Sequence, residues 1–203
     1  QVLTVSCSPN FAQKWLVPRL GSFYDDNPSL DLRISASPQH VTFDGDGIDI
    51  AVRHGDGNWP ELAVSRLCRE WLFPVCSSRL EPAIESINSI DDLRHYVLIH
   101  DQQRDGWARW LQANGAEPAN FDLDRGPQLI QTSLAIDAAV SAPGLARARS
   151  ALVALDLAAG RLVRPLDAEL AAEFAYWIVC PHSQATDPKI IRFRQWLMDQ
   201  AND

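Results

Sequence analysis

The sequence lacks any apolar stretch approaching the roughly 18 to 20 consecutive residues that a membrane span requires, and Gln1-Val2-Leu3-Thr4 brings no basic segment leading into an apolar signal region. Export and membrane insertion are therefore not indicated. Cations are also short, with 18 Lys and Arg against 26 Asp and Glu for a formal charge of -8. Affinity for a phosphate backbone rests on clustered cations, so this balance argues against DNA contact by these residues. Cysteine is sparse: the four thiols, Cys7, Cys68, Cys76 and Cys180, sit singly with no C-x-x-C spacing. Neither a zinc site nor a redox pair is suggested, and buried, reduced strand cysteines are the expectation. A G-x-S-x-G elbow, an H-E-x-x-H helix, a P-loop and a dinucleotide fingerprint are all missing, which counts against an enzyme. No metal or cofactor is expected. The chain opens on Gln1 and not on Met, directly in an apolar alternation, and reads as a fragment or a processed chain.

What is present is a globular pattern. With 46% hydrophobic and 22% charged residues, 203 residues can bury a sizeable core and fall between one and two domains. Val2 to Cys7 alternates as a strand, and Asn10 introduces Phe11, Leu16, Leu20, Phe23 and Tyr24 at roughly helical spacing, which Pro18 should kink. Strands follow at Leu30 to Ser35 and at Ile48 to Val52, the latter running out into Arg53-His54-Gly55-Asp56-Gly57. Strands alternating with helices in this way predict a mainly parallel sheet covered by helices.

The pattern restarts after Trp71 to Cys76. Ser89 and Asp92 flank a capped short helix that leads into the strand Tyr96 to Ile99. Trp107, Trp110 and Leu111 form a helical stripe stopped by Asn114-Gly115, and Gln131-Thr132-Ser133 opens a helix carrying Leu134, Ile136, Ala138 and Val140. Phe174 to Cys180 is an apolar run of buried-strand length, and Asp187-Pro188 opens a last helix with Ile190, Ile191, Phe193, Trp196 and Leu197. Two α/β lobes built this way leave a cleft at the carboxyl ends of their strands, where open parallel sheets bind ligands.

Taken in order, several segments resemble the co-inducer-binding domain of LysR-type transcriptional regulators, in the subgroup of the glycine-cleavage activator and the β-lactamase regulator. The segments are Phe11-Ala12 with Trp15 to Leu20, Gly47 to Arg53, Asp156 to Pro165, Tyr176-Trp177 with Val179-Cys180-Pro181, and Phe193-Arg194 with Trp196-Leu197. The resemblance implies an α/β fold of the periplasmic-binding-protein-like type 2 class, two lobes joined by two crossover strands at Leu72 to Ser77 and Trp177 to Pro181. Lobe I would comprise residues 1–74 and 179–203, and lobe II residues 75–178. It further implies an N-terminal helix-turn-helix domain outside this chain, pairing of sensing domains as homodimers, homotetramers at full length, and promoter DNA bound only through the missing domain. One departure is Ser141 to Ala146, where relatives commonly have a second glycine before the one matching Gly144; Ala142 and Pro143 stiffen that turn.

Ser8 and Asn10 fall where the first strand meets its helix, and Gln131, Thr132 and Ser133 stand at the equivalent position in the second lobe. Two helix N-termini with side-chain hydroxyls and amides suit a carboxylate or phosphate, although plain helix capping would use the same residues. The resemblance places Asn10, Thr132, Ser133 and Tyr176 around the effector, with Ser8, Ser37 and Gln131 as neighbours. Arg53 and His54 follow the third strand, where Arg53 would meet either an anionic effector or a local carboxylate such as Asp49. His100 and Asp101 offer another pair or a loop contact, and Arg147 and Arg149 lie on one face of a strand, bordering the cleft or solvated. Trp107, Trp110 and Trp196 suit core or dimer packing better than ligand stacking.

The expected function is therefore effector sensing in the cytoplasm, without catalysis and without membrane contact: a small anionic metabolite binds the cleft and rearranges the oligomer that positions DNA-binding heads. A periplasmic solute-binding protein of a transporter is the alternative, since its binding physics would be the same. Turnover of a small acid is a third possibility resting on fold analogy.

Overall fold

The computed structural model describes residues 1–141 and 143–202. The substitution expected to stiffen a turn at Ala142 lies outside the described residues. The chain divides into two compact units, residues 1–70 with 173–203 and residues 71–172. These junctions precede the 74/75 and 178/179 positions read from the sequence, because Trp71 already pairs in the second sheet and Ala175 in the first.

The first unit is built on a five-stranded sheet. Strand β1 (Val2–Cys7) pairs in parallel with β2 (Asp31–Ala36) and β3 (Ile50–Gly55). Strand β9 (Ala175–Pro181) then runs antiparallel between β3 and β4 (Leu62–Cys68). The sheet is thus mixed, where strand and helix alternation predicted a mainly parallel one. Strand β4, absent from the sequence reading, forms the far edge with a bulge between Arg66 and Cys68.

The helical run after β1 is irregular for a covalent reason. A short α1 (Pro9–Phe11) widens into a π-helical stretch at Ala12–Leu16, tightens to a 3-10 turn at Val17–Arg19, and returns to α2 (Leu20–Asp26). Pro18 has no N–H to donate, so the ordinary ladder cannot pass through it. Helix α6 (Pro188–Ala201) starts with Pro at its first position and with the Asp187 carboxylate accepting from the Lys189 N–H at 3.0 Å. Its buried Ile190, Phe193, Trp196 and Leu197 recur with helical period, and Phe23 meets the rings of Phe193 and Trp196 at 5.5 and 5.2 Å. The tryptophan also donates from Nε1 to Ser22 Oγ at 3.0 Å.

The second unit carries a four-stranded sheet of order β6-β7-β5-β8, from β5 (Trp71–Val75), β6 (Leu98–Ile99), β7 (Leu145–Arg149) and β8 (Leu170–Ala171). Its core gathers around α3 (Gly106–Ala113), whose Trp107 and Trp110 are fully buried. Their indole N–H groups donate to Ile99 O and Leu72 O, each at 2.9 Å. Both indoles are therefore architectural. The capping box of Ser89 and Asp92 is present, opening the 3-10 helix Ile90–His95. Helix α4 (Thr132–Val140) opens after Gln131, and α5 (Ser150–Ala158) follows β7 directly. The buried face of α4 is Thr132, Ser133, Ala135, Ile136 and Ala139, so Leu134 points outward.

Candidate functional site

In the first unit, register brings most of the predicted residues to one edge of the sheet. Parallel strands β1, β2 and β3 end at Cys7, Ala36 and Gly55, and antiparallel β9 begins beside them, with Tyr176 opposite His54 and Trp177 opposite Arg53. The carboxyl edge of a parallel sheet is where chain reversals leave backbone groups available to a ligand. Ser8 is the N-cap of α1: its Oγ accepts from the Phe11 N–H at 3.2 Å, and Pro9 takes the first helical position. The helix thus opens at Ser8 and not at Asn10, which lies inside α1. Ser37 joins this edge by donating its N–H to Cys7 O at 2.9 Å, while its Oγ accepts from the Gln39 N–H at 3.3 Å.

Arg53 and His54 lie within β3 instead of following it. Arg53 is buried, donates from Nη2 to Val41 O at 2.8 Å, and lies over the rings of Phe43 and Trp59 at 5.6 and 5.3 Å. Burial pulls its pKa below the usual guanidinium range, with Glu61 opposing. Asp49, its suggested partner, is held by Lys189 Nζ at 2.9 Å and by the Thr4 N–H at 2.8 Å. His54 meets Glu70 Oε1 through Nε2 at 2.7 Å, and Glu70 is buried. Tyr176 is also buried and packs its ring on His54 at 4.8 Å and on Phe11 at 4.9 Å. Glu70 carries no local signal in the sequence, because its partner His54 lies 16 residues earlier, within β3.

In the second unit the predicted residues meet a polar cluster. Thr132 and Ser133 occupy the first turn of α4 and are buried, while Gln131 is exposed and makes no side-chain cap. The first N–H groups of a helix have no intrahelical acceptor, so this turn offers donors to an anion. Thr132 Oγ1 lies 3.5 Å from Asp101 Oδ2. Asp101 also accepts from the Gln103 N–H at 2.9 Å and faces Arg147 Nη2, which is 3.4 Å from both carboxylate oxygens.

Arg147 is 6% exposed, not solvated, and its guanidinium also reaches Gln103 Oε1 at 3.2 Å. Burial lowers its pKa, and Asp101 offsets part of that cost. Space for the guanidinium comes from Gly106, where a Cβ would collide with Arg147. His100 is fully buried, with Nε2 3.1 Å from Arg125 O and Nδ1 without a hydrogen-bond partner; burial lowers its pKa. The alternation of β7 carried a weak signal for Arg147, but nothing in the sequence tied it to Asp101.

Among the described residues no group of three or more His, Cys, Asp or Glu side chains could hold a metal ion, and no helix is long and apolar enough to cross a membrane. Two α/β units crossed twice by the chain have the architecture of the periplasmic-binding-protein-like type 2 class. The chain belongs to the LysR substrate binding domain family, whose sequence model matches residues 1–202. It is 37% identical over 199 residues to the glycine cleavage system transcriptional activator of Escherichia coli K12, covering 98% of this chain and 65% of that protein. The chain thus spans less than two thirds of that relative. The effector-binding domain of AmpR from Citrobacter freundii superposes with a TM-score of 0.79 at 26% identity, covering 100% of this chain and 98% of that one. The effector domain of AmpR from Pseudomonas aeruginosa gives 0.77 at 29% identity, covering 100% and 96%. These curated relatives are transcriptional regulators, and the transporter solute-binding reading is not favoured.

Proposed function

We propose that this chain senses a small carboxylate-bearing metabolite and passes its binding on to transcription. The observation that carries this is the pair of buried hydroxyls, Thr132 and Ser133, at the first turn of α4, where helix N–H groups suit an anion. Gln131 contributes from the cap position. In the first unit Ser8, Asn10, Ser37, Arg53, His54 and Tyr176 supply the effector contacts at the edge where β1, β2 and β3 end. No cofactor takes part. The chain acts in the cytoplasm as a homodimer, and as a homotetramer when joined to an N-terminal helix-turn-helix domain that alone contacts promoter DNA. Effector binding changes transcription by favouring one arrangement of the oligomer, which requires different affinities for the two arrangements.

A thermal-shift screen against amino acids, other small carboxylates, cell-wall peptides and phosphorylated metabolites tests the reading, because a ligand bound only by the folded state raises the melting temperature. A dose-dependent rise that Thr132→Ala and Ser133→Ala weaken is the expected result. A rise indifferent to both substitutions places the ligand elsewhere, and no rise across the panel removes the anion site.

A further inference from the structure

The Asp101 carboxylate sets the direction of its hydrogen-bond contact with Thr132. Thr132 Oγ1 has that carboxylate as hydrogen-bond partner, at 3.5 Å. A carboxylate in an ion pair only accepts hydrogen bonds, so between these two oxygens the proton belongs to Thr132 and points at Asp101. What the hydroxyl has left to offer is lone pairs. Arg147 and the Gln103 N–H hold the carboxylate in that place, and Gly106 leaves room for the guanidinium.

We propose that Asp101, held by Arg147, is a positioning and specificity-determining residue: it commits the Thr132 proton, so that Thr132 recognises the effector by accepting a hydrogen bond. This rests on the effector contact assigned to Thr132 above. The effector then carries an N–H or O–H donor beside its carboxylate, as an amino acid or hydroxy acid does. A simple carboxylate such as propionate would set its lone pairs against those of Thr132, and an unmet polar group on either side weakens binding. The carboxylate itself is left to the backbone N–H groups of α4 and to Ser133.

Two measurements on the 203-residue chain test this. Without any ligand, proton NMR should show a slowly exchanging Thr132 hydroxyl at neutral pH, lost in the double variant Asp101→Leu/Arg147→Met. That variant removes the acceptor without stranding a buried charge, a replacement that cores tolerate, and circular dichroism checks its fold. A wild-type Thr132 proton exchanging as fast as that of a solvated threonine overturns the proposal. In the second measurement matched probes are titrated: L-alanine against propionate, L-glutamate against glutarate. The donor-bearing member should bind at least about tenfold more tightly, and Thr132→Val, which touches only the hydroxyl, should reduce that preference to about threefold or less. Equal binding of both members, or a preference that survives Thr132→Val, overturns it. A protected proton with no binding by any probe overturns the effector contact at Thr132, and the ligand preference with it, while the committed proton stands.

Discussion

At the scale of single residues the second unit depends on a balanced charge. Removing one member of a buried ion pair leaves the other desolvated and uncompensated. Asp101→Ala should therefore cost about 3–5 kcal/mol in urea unfolding, with most of the loss recovered in Asp101→Leu/Arg147→Met. A single substitution with no cost would show that the pair is not buried in solution. His100 makes stability pH-dependent. Burial holds its pKa below the ordinary 6.5, so the unfolded chain takes up a proton that the folded chain resists. Its contribution is complete above 6.5 and is lost as pH falls through the lowered folded value. The urea midpoint should drop between about pH 7.5 and pH 5.5, and His100→Gln should flatten that slope. Burial also pushes Cys7 and Cys68 up to about 12 and Cys76 to about 11, so iodoacetamide at neutral pH should modify these thiols only on unfolding. The sequence showed Thr132 and Ser133 because a helix start has local signals. It could not show that Arg147 belongs to Asp101, since no local pattern links residues 46 apart.

Among the elements, α6 and the irregular run from α1 to α2 show how capping and proline act. Asp187→Ala should cost about 1 kcal/mol by removing the acceptor of the Lys189 N–H, measured as a shifted urea midpoint; no shift would mean that the terminal turn frays in solution. The positions of β1, β2, β5, β9 and α6 were legible because each carries a periodic apolar pattern bounded by polar or proline residues. Strand β4 was missed although Leu62, Val64 and Leu67 are apolar, because it follows the loop of Asp56 to Glu61 without a break as clear as those around its neighbours. Strand β3 ran longer than expected for a tertiary reason: Arg53 and His54, polar residues that read as loop, pair with Trp177 and Tyr176 of β9. Parallel or antiparallel pairing is not written in strand composition, so the antiparallel β9 appeared only in the structure.

For the whole molecule, length and apolar content allowed two units, and the family segments placed them along the chain. The junctions could not be read to the residue, since β5 and β9 are apolar strands of similar character and nothing in their composition says which sheet each joins. The negative charge fits a domain that leaves DNA contact to another part of a longer regulator, as proposed above. Effector binding itself is measured by isothermal titration of this chain with the ligand that gives the largest thermal shift. Binding should be saturable with about one ligand per chain, and weakened about tenfold or more, roughly 1.4 kcal/mol, by Ser133→Ala and by Tyr176→Phe. Heat of binding that leaves both variants at wild-type affinity would contradict the proposed effector contacts.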